Sequence, residues 1–96
     1  QMQLKSLYEL IKTVEKPVIV AGDMNTFAGA RELTLFKEAT GLSSANKHNQ
    51  PSFPSWQPKL ELDFVLYQDG IEISNFEIPH TLLSDHLPLV CDFSIR

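Results

Sequence analysis

The sequence predicts an α/β fold with one mainly antiparallel sheet and two helices. Residues 1–41 combine two segments of helical period with one uninterrupted apolar run. From residue 60 onward, apolar and polar residues alternate with period two, which is typical of strands. The chain has 96 residues and a hydrophobic content of 43%, which together indicate one small globular domain with a modest core.

Two helices and a first strand are predicted before residue 42. The first helix ends before Pro17, because the residue that precedes a proline avoids helical angles. Residues 18–21 are apolar throughout, as is typical of a central strand that is covered on both faces. The second helix runs from about residue 30 to residue 40, and Gly41 follows at the position of a left-handed C-cap. The apolar face of the first helix carries Leu4, Leu7, Tyr8, Ile11 and Val14.

A long irregular loop and three strands are predicted for the rest of the chain. Residues 42–60 are polar and rich in proline, and loops of this length without structure of their own are often functional. The pair Asp69-Gly70 predicts a hairpin turn, which joins the strand that begins near residue 60 to a return strand over residues 71–78. The last strand is predicted over residues 87–93.

The composition argues against several classes of function. The net charge is −4 with eight Lys and Arg residues, so the chain lacks the basic patch that a sequence-independent grip on DNA requires. Cys91 is the only cysteine, which excludes an internal disulfide and favours a role as a small buried hydrophobe in a reducing, cytoplasmic setting. No apolar stretch approaches the roughly 20 residues of a membrane helix, so we expect a soluble protein.

Polar groups stand at one end of three predicted strands. Asp23 and Asn25 follow the first apolar run, Asp63 stands at the entrance to the next strand, and Asp85 and His86 precede the last one. If the first strand runs antiparallel to the other two, its exit meets their entrances at one edge of the sheet. A cluster of three carboxylates, an amide and an imidazole is costly unless it binds a cation or performs chemistry.

Each of these groups also has a simpler interpretation. Asp23 and Asn25 are common turn formers. Asp63 could face water if its strand is half-exposed, although aspartate is disfavoured in strands. His86 has the ordinary pKa that suits a general acid or base at neutral pH, but it could equally be an exposed histidine in a capped loop. The convergence of all five groups favours the functional interpretation.

Other candidates carry weaker signals. Phe53 and Trp56 lie inside the long loop, where they could stack on a base, a sugar or another planar group, or could pack the loop onto the sheet. His48 and His80 have no acidic neighbours at ligand spacing and are interpreted as solvated. Ser84 is not expected to act as a nucleophile, because its immediate neighbours cannot fold back into a Ser-His-Asp relay.

Three segments, taken in order, resemble the endonuclease/exonuclease/phosphatase (DNase I-like) superfamily. They are Gly-Asp-Met-Asn at residues 22–25, Leu-Asp-Phe-Val at 62–65 and Ser-Asp-His-Leu-Pro-Leu at 84–89. The resemblance implies half of a four-layer α/β sandwich, with residues 1–96 as the C-terminal portion of the domain. It also implies hydrolysis of a phosphodiester or phosphomonoester, in nucleic acid or in a small molecule, by an activated water that depends on Mg²⁺, with Mn²⁺ as the alternative.

The resemblance also implies a role for each site residue. Asp23 would activate the attacking water or bind a second metal, and Asn25 would hold the scissile phosphate or that water. Asp85 would help to bind Mg²⁺, directly or through water. His86 would contact the phosphate or serve as general base, with Asp63 orienting its ring.

The superfamily has further site residues, an Asn and a metal-binding Glu, for which no segment before Asp23 offers a counterpart. We therefore expect part of the site and one of the two sheets to be missing, which leaves an apolar sheet face uncovered. We expect either a homodimer that packs sheet on sheet or a partner chain that supplies the N-terminal half. One alternative is a non-catalytic fragment or degenerate domain that folds and self-associates. A two-carboxylate glycosidase is a further alternative, but it leaves His86 and Asn25 without a role.

Overall fold

The α/β class and the two helices are confirmed in the part of the chain that the structure describes. The structure is a computed structural model, and it describes residues 4–15, 17–23 and 30–96. In chain order its elements are α1 (Leu4–Ile11), β1 (Ile19–Asp23), α2 (Ala30–Thr40), β2 (Ser43–Ser44), β3 (Asp63–Tyr67), β4 (Ile71–Glu77) and β5 (Val90–Ile95).

The strands form two antiparallel sheets, so the prediction of one sheet is wrong. The larger sheet has the order β1-β3-β2, and the smaller one pairs β4 with β5. The hairpin predicted around Asp69-Gly70 does not pair β3 with β4, because both edges of β3 are already occupied. Ser43 and Ser44 of β2 pair with Tyr67 and Leu66, at the end of β3 that precedes the turn. The edge of β3 opposite β2 is taken by β1 over its whole length.

The helices cover one face of the larger sheet. Along β3, burial alternates so that Phe64 and Leu66 are buried and their neighbours are only half-buried. The core consists of Ile11, Phe36, Leu42, Phe64 and Leu66. Because side chains alternate along a strand, Asp63 points away from this helix-covered face.

Some element boundaries and positions differ from the prediction. α1 ends at Ile11, and Val14 lies beyond it with an exposed side chain. β1 is an edge strand that is only half-buried, whereas its apolar sequence predicted a central one. β5 begins at Val90, since Pro88 has no N–H to give and the Leu87 N–H is donated to the Ser52 carbonyl instead of to a strand.

α2 spans the predicted residues, and its end is fixed by local contacts. Gly41 has a φ of 74°, and its N–H donates to the Lys37 carbonyl at 2.8 Å. Within the described ranges, no helix has the length and apolar character needed to cross a lipid bilayer.

Candidate active site

The register of the larger sheet brings two aspartates to the same edge. β1 runs antiparallel to β3, and Asp23, the last residue of β1, is the cross-strand partner of Asp63, the first residue of β3. The end of β1 and the beginning of β3 therefore meet at one edge of the sheet, as the sequence predicts for these two strands. Asn25, the amide predicted for the same edge, lies outside the described residues.

His86 lies directly against this pair of carboxylates. Its Nδ1 is 2.6 Å from Oδ2 of Asp63, and its Nε2 is 3.9 Å from Oδ2 of Asp23. The first distance is a short hydrogen bond, whereas the second is too long for one. Since a carboxylate accepts only, Asp63 assigns the proton of the imidazole to Nδ1 and directs Nε2 toward Asp23.

The segment that carries His86 is attached to the long loop and not to a strand. The N–H of Ser55 donates to the Asp85 carbonyl at 2.8 Å, and the hydroxyl of Ser55 donates to the Ser84 carbonyl. The N–H of Leu87 donates to the Ser52 carbonyl at 2.7 Å. The position of the imidazole therefore depends on residues 52–55 of the long loop.

Ser52 also contacts the site carboxylate through its side chain. Its hydroxyl donates to Oδ2 of Asp63 at 2.8 Å. Sequence reasoning missed both Ser52 and Ser55, because a serine in a proline-rich loop normally indicates a solvated turn. Both are buried here, and only the long-range contacts of the loop reveal it.

The two aromatic residues of the loop occupy different environments. The Phe53 ring packs against the His86 imidazole, with ring centroids 4.7 Å apart and planes tilted by 49°. Trp56 is 68% exposed, on the turn next to Ser55. Phe53 thus restrains the imidazole, and Trp56 is the loop aromatic that presents most of its surface to solvent.

The carboxylates around His86 raise its pKa above the ordinary 6.5. The largest cause is the hydrogen bond that Nδ1–H donates to Asp63, and the negative charges of Asp63, Asp23 and Asp85 act in the same direction. Partial burial opposes them, because it disfavours the charged imidazolium. The net effect is an imidazole that keeps its proton at higher pH than a free histidine.

The donor chemistry fits a hydrated hard cation better than a closed metal cage. Ligand atoms of Asp23, Asp63 and His86 all lie within 4.8 Å of one another. However, Oδ2 of Asp63 and Nδ1 of His86 are already bonded to each other. Asp85 is exposed, and its Oδ1 accepts a hydrogen bond from the Ser84 hydroxyl at 3.2 Å. Magnesium needs only one or two carboxylates and keeps several waters, so Asp23 can contribute to such a site, whereas Asp85 lies outside the group whose ligand atoms are within 4.8 Å of one another.

An open cleft of about 440 Å³ lies elsewhere, at the Tyr67 end of β3. Its cationic side chains are engaged, since Lys47 donates to the Tyr67 hydroxyl at 2.7 Å and Arg96 lies 3.9 Å from Glu72. The sequence places no chemical motif there, and the aspartates and His86 do not line it.

Comparison with known proteins gives a family and several relatives. A model of the Endonuclease/Exonuclease/phosphatase family matches residues 1–86. A UPF0294 protein of Vibrio parahaemolyticus is 33% identical over 98 residues, which cover 98% of this chain and 34% of the relative. Similar proteins of Vibrio vulnificus (34% over 99 residues, 99% of this chain and 34% of the relative) and Yersinia enterocolitica (33% over 91 residues, 95% and 35%) match in the same way. The chain spans about a third of the length of these relatives. No solved structure matches it.

Proposed function

Because this chain belongs to the endonuclease/exonuclease/phosphatase family, we propose that it carries part of the active site of a divalent-metal-dependent phosphoesterase. The observation that supports this most directly is the Asp63–His86 pair, in which Nε2 of His86 faces Asp23 across 3.9 Å. This arrangement joins a carboxylate-stabilised imidazole to a second carboxylate at the edge of a sheet.

The space between His86 and Asp23 suits one oxygen atom of the reaction. An oxygen can lie within hydrogen-bond distance of both Nε2 and Oδ2, since these atoms are 3.9 Å apart. Asp63 stabilises the imidazolium, so Nε2–H is suited to donate to an oxygen of the phosphate. The attacking water would occupy a separate position beside the phosphate, from which Asp23 would accept its proton.

Asp23 would hold the divalent cation, Mg²⁺ or alternatively Mn²⁺, and Asp85 would help to bind it, directly or through water. When bound, the cation would neutralise charge on the phosphate and help to position the water. Asn25 would orient the scissile phosphate, as the resemblance implies. Asp63 is not assigned to the cation, because its Oδ2 already accepts hydrogen bonds from Ser52 and His86.

Trp56 is the candidate for contact with the substrate beyond its phosphate. It is exposed, and the hydrogen bonds of Ser55 fix its turn to the segment that carries His86. An aromatic ring in this position could stack on a base or another planar leaving group. Phe53 contributes indirectly, since it packs on the imidazole.

The test is hydrolysis of bis(p-nitrophenyl) phosphate by the full-length protein, with Mg²⁺ and with EDTA. We expect turnover that EDTA abolishes and that His86→Ala lowers about 100-fold or more, the usual effect of removing a hydrogen-bond donor that stabilises developing charge in the transition state. His48→Ala is the matched control, because His48 is an exposed loop histidine outside the site. Turnover in EDTA, or an unchanged rate for His86→Ala, would refute the assignment. Absence of Mg²⁺ binding by calorimetry would favour a non-catalytic domain instead.

A further inference from the structure

We infer that Ser52 is a positioning residue for the Asp63–His86 pair, an inference that rests on the proposed function. Ser52 is not expected to touch the substrate. It acts through Asp63, whose carboxylate it holds in the orientation that the imidazole requires. The inference starts from its burial, since Ser52 is 0% exposed.

The hydrogen bonds around the Ser52 hydroxyl leave it one direction in which to donate. Its oxygen accepts from the N–H of Leu62 at 3.4 Å and from the N–H of Asp63 at 3.3 Å. A hydroxyl has two acceptor positions and one proton. With both acceptor positions used by these backbone amides, the proton is directed to Oδ2 of Asp63, which lies 2.8 Å away.

Both hydrogen bonds to the Asp63 carboxylate converge on the same oxygen. Oδ2 accepts from the Ser52 hydroxyl and from Nδ1 of His86. Two donors fix the plane and direction of the carboxylate, whereas His86 alone would leave it free to rotate with the ring. The hydroxyl therefore restrains the group that sets the tautomer and the angle of the imidazole.

The backbone of Ser52 restrains the other side of the pair. Its N–H donates to the Leu60 carbonyl at 2.9 Å, near the entrance to β3. Its carbonyl accepts from the N–H of Leu87, the residue after His86, at 2.7 Å. One buried residue thus joins the Asp63 strand to the His86 segment. Ser55, the other buried serine of the loop, instead donates its hydroxyl to a backbone carbonyl, that of Ser84.

The test compares Ser52→Ala, Ser52→Thr and Ser44→Ala in the full-length protein. Threonine keeps the hydroxyl, and alanine removes it. Ser44 is the control, because its hydroxyl also accepts from a backbone N–H but lies on β2, at the other end of β3. Two kinds of measurement are made. The first is the proton and nitrogen NMR signals of the His86 ring in EDTA, identified by their loss in His86→Ala. The second is kcat and KM with Mg²⁺.

We expect Ser52→Ala to shift the His86 Nδ1–H signal and to lower kcat about 10- to 100-fold, the usual effect of removing an outer hydrogen-bond partner. KM should stay unchanged, since Ser52 does not bind substrate. Ser52→Thr should recover the signal and the rate, and Ser44→Ala should alter neither. If Ser52→Ala does not fold, Ser52→Cys, which keeps the volume but donates weakly, is measured in its place.

A folded Ser52→Ala with an unchanged His86 signal would overturn the inference whatever its rate. A shifted signal with an unchanged kcat would also overturn it, because the restraint would then be structural only. Failure of the proposed function gives a different pattern, in which the unsubstituted protein shows no turnover while the NMR signal still depends on the Ser52 hydroxyl.

Discussion

Asp63 is a charged residue at the first position of a central strand, where aspartate is disfavoured. Its neighbours explain why the strand tolerates it. Phe64 and Leu66 fill the helix-covered face, so that Asp63 points to the other face. There its carboxylate is bonded to Ser52 and His86. The strand tolerates Asp63 because its carboxylate is hydrogen-bonded, and the same hydrogen bonds hold the His86 ring in position.

Asp63→Asn should lower the pKa of His86 in the metal-free protein. The amide removes the negative charge and replaces the charge-assisted hydrogen bond to Nδ1 with at most a weaker, neutral one, and Asp63 contributes most to raising this pKa. NMR titration of the His86 ring in EDTA measures the shift. Glu61→Gln is the matched control, since Glu61 is a carboxylate of the same segment that bonds to Asn46 and Asn49 instead. An unchanged His86 titration in Asp63→Asn would contradict the assigned contact.

The Asp63–His86 pair also determines how the free energy of unfolding changes with pH. Because the pKa of His86 is raised on folding, its stabilisation is complete below the unfolded pKa, near 6.5. It is lost as pH rises through the folded pKa. The free energy of unfolding should therefore decline over this range more steeply in the unsubstituted protein than in Asp63→Asn.

At the residue scale, the sequence predicted that Asp23, Asp63 and His86 lie close together, because each stands at one end of an apolar run. Ser52 could not be found in this way. Its importance comes from contacts with residues 11 and 35 positions further along the chain, Asp63 and Leu87. A serine between a proline and a phenylalanine carries no local sign of such contacts.

At the element scale, α2 was predictable and the sheet order was not. α2 follows from helical periodicity and from Gly41, which are local signals. The sheet order depends on Ser43–Ser44, a two-residue strand without a strand-like sequence that occupies the edge of β3. Which of two distant segments pairs with a given strand edge cannot be predicted from the residue pattern of either segment alone.

Gly41→Ala should destabilise the protein by about 1 kcal/mol, the typical cost of a left-handed conformation for a residue with a Cβ. The new Cβ would meet nothing within 4 Å, so the cost comes from the φ of 74° alone. Gly41→Asn should cost less, since asparagine tolerates this conformation better. Urea unfolding measures both variants, and a stability of Gly41→Ala equal to that of the unsubstituted protein would exclude the C-cap role.

At the scale of the whole molecule, the β4–β5 pair carries an incompletely covered apolar face. Cross-strand partners share a face, and the register pairs Ile71 with Ile95, Ile73 with Phe93 and Phe76 with Cys91. An irregularity between Ile73 and Asn75 keeps Phe76 on this face. The β4 side is buried at Ile71, whereas Phe93 and Ile95 on the β5 side are exposed. The β5 half of this apolar face is therefore left exposed to solvent.

We propose this face as the surface on which the expected homodimer or partner chain would pack. In a purified solution of the 96-residue chain, another copy can supply the apolar surface that covers it. We therefore expect the folded chain to elute as a dimer or larger species at low micromolar concentration, measured by size exclusion with light scattering.

Phe93→Thr should shift the chain toward monomer, since threonine keeps the strand preference but removes the ring. Leu35→Gln is the control, because Leu35 is 53% exposed, as Phe93 is 50% exposed, but lies on α2. A stable monomer, or equal dissociation by both variants, would show that the β4–β5 face does not drive association.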